Sequence, residues 1–298
     1  MKNSSYDISI IIIGYNTITT LPDTLNSINH INVDNHNIEV IYIDDSSTDG
    51  SYEFFKNLKL NFKKLNFRFL KNMGRVATRL KGIEMAHGEW LLFLNSNITV
   101  HPNIIIEYTK SISMTNGVAY SGCLNYNSLD FNFSKYLNHN QRGIKKYNQH
   151  DVVSYQNFLF SNCMVKKSIM NTILFNPDLR YYGGEELDWS YKFNKKYPNM
   201  MRASKLAVAN RNNHPTYREH LNKMMEFGST NFVLLDKLLQ IDIVKNKFLL
   251  KKNILLKGLF NLLYFISISL YRLPFVGNHI IRMGLLASVL RGYYKNKL

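Results

Sequence analysis

Cysteine is almost absent: Cys123 and Cys163 are the two in 298 residues. Two thiols exclude a disulfide-stapled scaffold and fit a reducing compartment, with a single bridge between them left open. A chain this long buries a sizeable core without staples, as one large domain or two small ones. Acidic residues run out early, with no Asp or Glu after Asp242. Long uncharged runs are missing too. The longest in the tail is Gly258–Tyr271, 14 residues; as a helix at about 1.5 Å per residue it falls short of a bilayer core of about 30 Å. Ile8–Ile13 is apolar but gives way to Gly14-Tyr15-Asn16, too short a run for the core of a signal peptide.

What is present is a globular composition, 45% hydrophobic and 19% charged, which excludes a disordered chain. The net charge is +16, from 37 Lys and Arg against 21 Asp and Glu. Ten of those positive residues follow Asp242: Lys245, Lys247, Lys251, Lys252, Lys257, Arg272, Arg282, Arg291, Lys295 and Lys297. A basic tail that is also apolar suits an anionic membrane surface; a polar one would suit nucleic acid.

The first hundred residues alternate between two hydrophobic periods. Ile8–Ile13, Ile38–Ile43 and Trp90–Leu94 read as buried parallel strands, and Phe67–Leu70 as another. Leu21, Leu25, Ile28 and Ile31 fall at helical spacing, Tyr52, Phe55, Leu58 and Leu60 suggest a short helix, and Arg75–Ala86 suggests a third. This alternation predicts an α/β fold with a mainly parallel sheet flanked by helices. In such sheets ligands bind beyond the carboxyl ends of the strands, where Asp44-Asp45-Ser46, Asn72-Met73-Gly74-Arg75 and Asn95-Ser96-Asn97 fall.

Residues 115–160 lack a period and suggest long loops around a strand or two. Asn162–Val165 and Leu206–Ala209 read as short strands, and Glu185–Lys196 as a helix behind Gly183-Gly184. Two apolar helical stretches close the chain, Ile254–Leu273 and Val276–Leu290, split by Pro274.

Three segments carry chemistry. Asp44-Asp45-Ser46-Ser47-Thr48-Asp49-Gly50-Ser51 offers carboxylates that can accept from a nucleobase or ribose, or equally a turn and helix cap. A calcium loop is excluded, because the twelfth position from Asp45 is Lys56 where a bidentate Glu is needed. Downstream come Asn72-x-Gly74-x-x-x-Thr78-Arg79, then Gly88-Glu89-Trp90 and Leu92-Phe93-Leu94-Asn95-Ser96-Asn97. The third segment is Tyr182-Gly183-Gly184-Glu185-Glu186-Leu187-Asp188-Trp189.

Taken in order and at this spacing, the set resembles the inverting family 2 glycosyltransferases with the GT-A fold. The similarity is close over residues 7–100 and resumes at 182–189. It implies a GT-A domain over 1–240, with a nucleotide-binding half at 1–98 and an acceptor half at 99–240, and a basic, apolar helical tail at 241–298. It implies a UDP-linked sugar donor held by Tyr15, Asn16, Asp44, Asp45, Asn72, Gly74, Arg79, Asn95, Ser96 and Asn97. Glu186 would be the general base, with Glu185 and Asp188 beside it; Gly183, Gly184 and Trp189 would meet the acceptor.

One departure matters. Asn95-Ser96-Asn97 stands where the family has Asp-x-Asp, the ligand of Mg or Mn. Neutral amide oxygens are weaker ligands for hard cations than carboxylates. Asn97 and His214 are the remaining metal candidates, and Arg75, Arg79, Arg211, Arg218 and His214 the cations open to a diphosphate.

The expected function is transfer of a sugar to a glycan or lipid-linked glycan in surface polysaccharide synthesis. The expected location is cytoplasmic, peripheral at the inner membrane face, with no nucleic-acid partner. The alternatives are a catalytically impaired relative that binds sugar or serves as a scaffold and, for the tail, a helical hairpin packed on the domain.

Overall fold

The computed structural model describes residues 7–251, 253–273 and 277–295. Pro274 and Val276, expected at the break between the tail helices, lie outside them. In chain order the elements are β1 (Ile8–Gly14), α1 (Leu21–Asn29), β2 (Ile38–Asp44), α2 (Ser51–Asn57), β3 (Lys63–Arg68), α3 (Gly74–Met85), β4 (Trp90–Asn95), β5 (Ile98–Val100), α4 (Ile104–Met114), β6 (Ala119–Ser128) and α5 (Phe131–Leu137). They continue with β7 (Asn162–Lys166), α6 (Lys167–Thr172), α7 (Glu185–Lys196), β8 (Met201–His214), α8 (Tyr217–Ser229), α9 (Lys237–Val244), α10 (Ile254–Leu270) and α11 (Gly277–Lys295).

Eight strands form one sheet in the order β3-β2-β1-β4-β7-β6-β8-β5. The first four are mutually parallel, β7 runs against β4 and β6, and β8 lies parallel to β6. Every residue of β1 and β2 is buried, as unbroken β-branched runs demand. Alternate side chains serve opposite faces. Ile11, Ile13, Ile41 and Ile43 pack with Val76 and Ile83 of α3. Ile8, Ile10, Ile12 and Tyr42 pack with Leu21, Leu25 and Ile28 of α1. The sheet runs through both halves expected from the sequence, because β7, β6 and β8 continue it beyond β4.

Two expectations are corrected. The third strand is Lys63–Arg68 rather than Phe67–Leu70, and Leu70 is fully exposed. An edge strand needs only one apolar face, so Leu65 and Phe67 alternate with Lys64, Asn66 and Arg68. The short strand expected at Leu206–Ala209 is part of the fourteen-residue β8, while the strand expected within the aperiodic middle is the ten-residue β6. Asn125 donates to Asn210 and Asn127 to Asn212 across this pair, at 3.1 and 3.0 Å. These amide bonds reinforce the backbone ladder at the end where β6 leaves the apolar core. Both cysteines are buried and free, so the bridge left open by the sequence is not made.

The tail divides its roles. α11 is a core element: Val289, Leu290, Tyr293 and Tyr294 belong to the cluster that includes Trp189 and Phe193. α11 crosses α8 so closely that a Cβ on Gly228 would lie 1.9 Å from the Val289 carbonyl oxygen. α10 packs on α11 through Phe260, Tyr264 and Ser267, while Leu255, Leu259, Leu262, Phe265, Leu270 and Leu273 remain exposed. No helix among the described residues is long and apolar enough to cross a membrane.

Candidate active site

Strand order reverses at β1, which has β2 on one side and β4 on the other. The crevice beyond the carboxyl ends of these strands is where an open α/β sheet takes its ligand. Three turns rim it. After β1, Asn16 adopts a left-handed φ of 52° and accepts from Thr48 N–H at 2.9 Å, while Tyr15 stays half-exposed beside it. After β2, Asp49 accepts from the N–H groups of Ile18 and Ser51, so the acidic loop is tied to the first turn. After β4 come Asn95, Ser96 and Asn97.

Asp45 accepts from Met73 N–H at 2.7 Å and Gly74 N–H at 2.9 Å, fixing the start of α3. Burial pushes its carboxyl above the ordinary range, and these two bonds oppose that. Gly74 has a φ of 84°, and a Cβ there would lie 2.7 Å from the Arg180 carbonyl oxygen, so only glycine fits between the acidic loop and the segment before α7. Asn72 is exposed at the rim. Asp44 is different: it is fully buried, accepting from Tyr42 Oη and Ser47 N–H. The donor role expected of Asp44 is corrected to an internal one, that of holding the loop behind Asp45.

Gly183 and Gly184 have φ of 80° and 88°, a consecutive left-handed pair that turns the chain into α7. Asn231, which the sequence did not single out, is fully buried and donates to the Tyr181 and Gly183 carbonyls at 2.8 and 2.7 Å. The first turn of α7 then presents Glu185, Glu186 and Asp188, favourable with the helix dipole. Asp188 is buried and paired with Lys192 at 2.7 Å, one turn along. Trp189 is fully buried and donates to the Ile173 carbonyl at 2.8 Å, so its expected acceptor contact is corrected to a core role.

Arg79 joins the two halves. Its side chain is 1% exposed; Nη1 reaches Glu185 Oε1 at 3.1 Å and Nη2 reaches Glu186 Oε1 at 2.5 Å. The guanidinium also lies over the rings of Phe160 and Phe175, at 5.4 and 5.7 Å. Glu185 is sealed, whereas Glu186 is 17% exposed and is the acid of the pair that a substrate can reach.

The residues present do not make a divalent-metal site. Asn95 donates to Ser161 Oγ and Asn97 to the Asn212 carbonyl, and their remaining donor atoms are neutral amide oxygens. His214 is 6% exposed, and its ring packs against those of Tyr126, Phe133 and His220. Among the described residues no group of three His, Cys, Asp or Glu converges to hold a cation.

Burial and the charges of Arg211, Lys223 and Arg142 depress both histidines, His214 to about 2 and His220 to about 3. Unfolded, each would take a proton as pH falls through about 6.5. The stability they lend is therefore full above that value and lost as pH falls below it. The expected slope is up to about 1.4 kcal/mol per pH unit for each histidine. Urea unfolding between pH 7.5 and pH 5 should show a shallower loss in His220→Gln than in the unaltered protein; equal slopes would contradict the assignment.

The family model for Glycosyl transferase family 2 matches residues 9–174. EpsH of Bacillus subtilis (strain 168) is 33% identical over 114 residues, 37% of this chain and 30% of that protein. Cholesterol galactosyltransferase of Borreliella burgdorferi is 30% identical over 100 residues, 34% of this chain and 27% of that protein. The matches thus span under a third of these relatives' length. Among solved structures, residues 1–349 of S. aureus TarS align over 98% of this chain and 92% of that one, with 15% identity and a TM-score of 0.57. A mannosyltransferase of Pyrobaculum calidifontis, solved with GDP-Man and Mn2+, aligns over 97% and 88%, with 13% identity and a TM-score of 0.63. At these identities the structural likeness shows the fold, which is GT-A. The chain belongs to glycosyl transferase family 2.

Proposed function

We propose that the protein is an inverting glycosyltransferase that moves a sugar from a UDP-linked donor to a glycan or lipid-linked glycan acceptor in surface polysaccharide synthesis. The observation that carries this is the Arg79 contact with Glu185 and Glu186, which sets a reachable carboxylate of the acceptor half against the nucleotide half. TarS has been solved with UDP-GlcNAc, which supports a UDP-linked donor by analogy of fold.

In this reading the nucleotide lies along the turns after β1 and β2, on the backbone that Asp45 and Asn16 organise. The acceptor enters over Gly183-Gly184. Its hydroxyl oxygen attacks the anomeric carbon and the carbon–oxygen bond to the diphosphate breaks. The electron pair leaves with the diphosphate, and the hydroxyl proton passes to Glu186. One displacement inverts the anomeric centre. An α-linked donor should give a β-linked product by NMR; an α-linked product would overturn the mechanism.

The tail supports peripheral attachment to an anionic membrane, at the inner face of the cell membrane. The bare face of α10 lies in a segment that carries no acid after Asp242. Each leucine or phenylalanine that leaves water contributes about 1.5–3 kcal/mol, and each nearby Lys or Arg about 1 kcal/mol. Because α11 is part of the core, point substitutions are a cleaner test than truncation. The protein should float with anionic vesicles, and Leu262→Asp with Phe265→Asp should release it while leaving its melting temperature unchanged. Equal flotation of the double variant would remove this face from the account.

A further inference from the structure

A diphosphate leaving group carries several negative charges, and something must stabilise them. The Asn95-Ser96-Asn97 segment supplies none. Positive side chains from elements far apart in sequence gather around His214, His220 and Tyr182, with Arg211 reaching the segment itself. Arg211 stands on β8 opposite Ile98, and the Asn212 carbonyl next to it accepts from Asn97 Nδ2. Its Nε is buried with no hydrogen-bond partner. Arg142 precedes a short 3-10 turn and stacks over Tyr136 at 3.9 Å. Lys223 of α8 and Arg75 of α3 both lie over the Tyr182 ring, at 5.5 and 4.9 Å, directly before Gly183-Gly184.

These cations have little counter-charge of their own. Arg142, Arg211 and Lys223 make no ion pair among the described residues, and Arg75 reaches Glu185 only at 3.9 Å. Glu185 and Glu186 are claimed by Arg79 at closer range. Of the two acids nearest Lys223, Glu219 is used by the capping box of α8 and Glu226 is exposed further along that helix. Behind the cations, neither ring nitrogen of buried His214 has a partner, nor has Nδ1 of His220. A cluster of like positive charges repels itself, and a bound anion relieves that repulsion.

We propose that Arg75, Arg142, Arg211 and Lys223 form a diphosphate site that does the work of a divalent cation, so that the donor binds without metal. Of the cations open from the sequence, this selects Arg75 and Arg211. It sets aside Arg79, which is committed to the two glutamates, and Arg218, which is exposed on α8. Arg142 and Lys223 join them. The proposal rests on the nucleotide-sugar reading above, and its test separates the two.

Inorganic pyrophosphate, UDP and uridine are titrated calorimetrically into the full chain, first in EDTA and then with Mg2+. Pyrophosphate should bind in EDTA, and Mg2+ should change its affinity little. The double variant Arg211→Ala, Lys223→Ala should weaken it by about tenfold to a hundredfold, the scale of lost charge-assisted hydrogen bonds. Arg142→Gln, at a partly exposed position, should weaken it in the same direction with folding preserved. Pyrophosphate binding that appears only with Mg2+, or that is equal in all variants, would overturn the proposal. UDP binding no tighter than pyrophosphate, with uridine not binding, would instead overturn the nucleotide reading.

Discussion

Glu186→Gln is expected to lower turnover by about 10²–10⁴, the usual range for losing a positioned general base. Donor affinity should stay near that of the unaltered protein. The amide keeps the shape but cannot take the acceptor proton. The fold should survive, because Arg79 retains Glu185 at 3.1 Å and its contacts with Phe160 and Phe175. Glu185→Gln and Asp188→Asn should act mainly on stability, since Glu185 is sealed and Asp188 is paired with Lys192. Rates measured with saturating donor and acceptor decide the matter. A fully active Glu186→Gln would place the base elsewhere.

Arg79→Met should destabilise the protein by about 3–5 kcal/mol, the scale seen when one partner of a buried ion pair is removed. The methionine fills much of the space against Phe160 and Phe175, so the loss is chiefly electrostatic. It strands two carboxylates, of which Glu185 is 2% exposed. Unpaired buried carboxylates favour the protonated form. The deficit relative to the unaltered protein should therefore shrink as pH falls from 8 to 5. Arg79→Lys should lie between the two, because one ammonium cannot reach both glutamates with the geometry of a planar fork. Chemical unfolding across this pH range tests the set, and a deficit that does not vary with pH would show that packing dominates.

Some parts of this protein are written plainly in its sequence. β1, β2 and β4 are unbroken branched or aromatic runs because helices cover both faces of the sheet there. α7 runs over the Glu185–Lys196 span that the sequence implies, since the double glycine starts it and acids and lysines mark its two ends. Other parts are hidden for physical reasons. The far half of the β6–β8 pair lines up asparagines, Asn125 with Asn210 and Asn127 with Asn212, which carry no hydrophobic period. Asp44 and Asp45 are neighbours with the same chemistry and are both buried; only the fold decides that Asp44 holds its own loop while Asp45 holds the start of α3. Trp189 lies in a motif but faces the core. Arg211 is among the cations the sequence leaves open to a diphosphate, whereas Arg142, ahead of a short 3-10 turn, and Lys223, on α8, carry no local signature beyond the surplus of positive charge. The tail mixes two readings, because α11 is packed and the outer face of α10 is bare.

In the proposed function, the crevice at the reversal of strand order binds a nucleotide sugar on the turns after β1 and β2. Calorimetric titration of UDP-GlcNAc and GDP-mannose into the unaltered protein and into Asp45→Ala tests it most directly. Saturable binding of a nucleotide sugar is expected, weakened in Asp45→Ala by about tenfold or more as the Met73–Gly74 backbone loses its anchor. Absence of saturable binding of either compound at millimolar concentration, or equal affinity in a folded Asp45→Ala, would contradict the account.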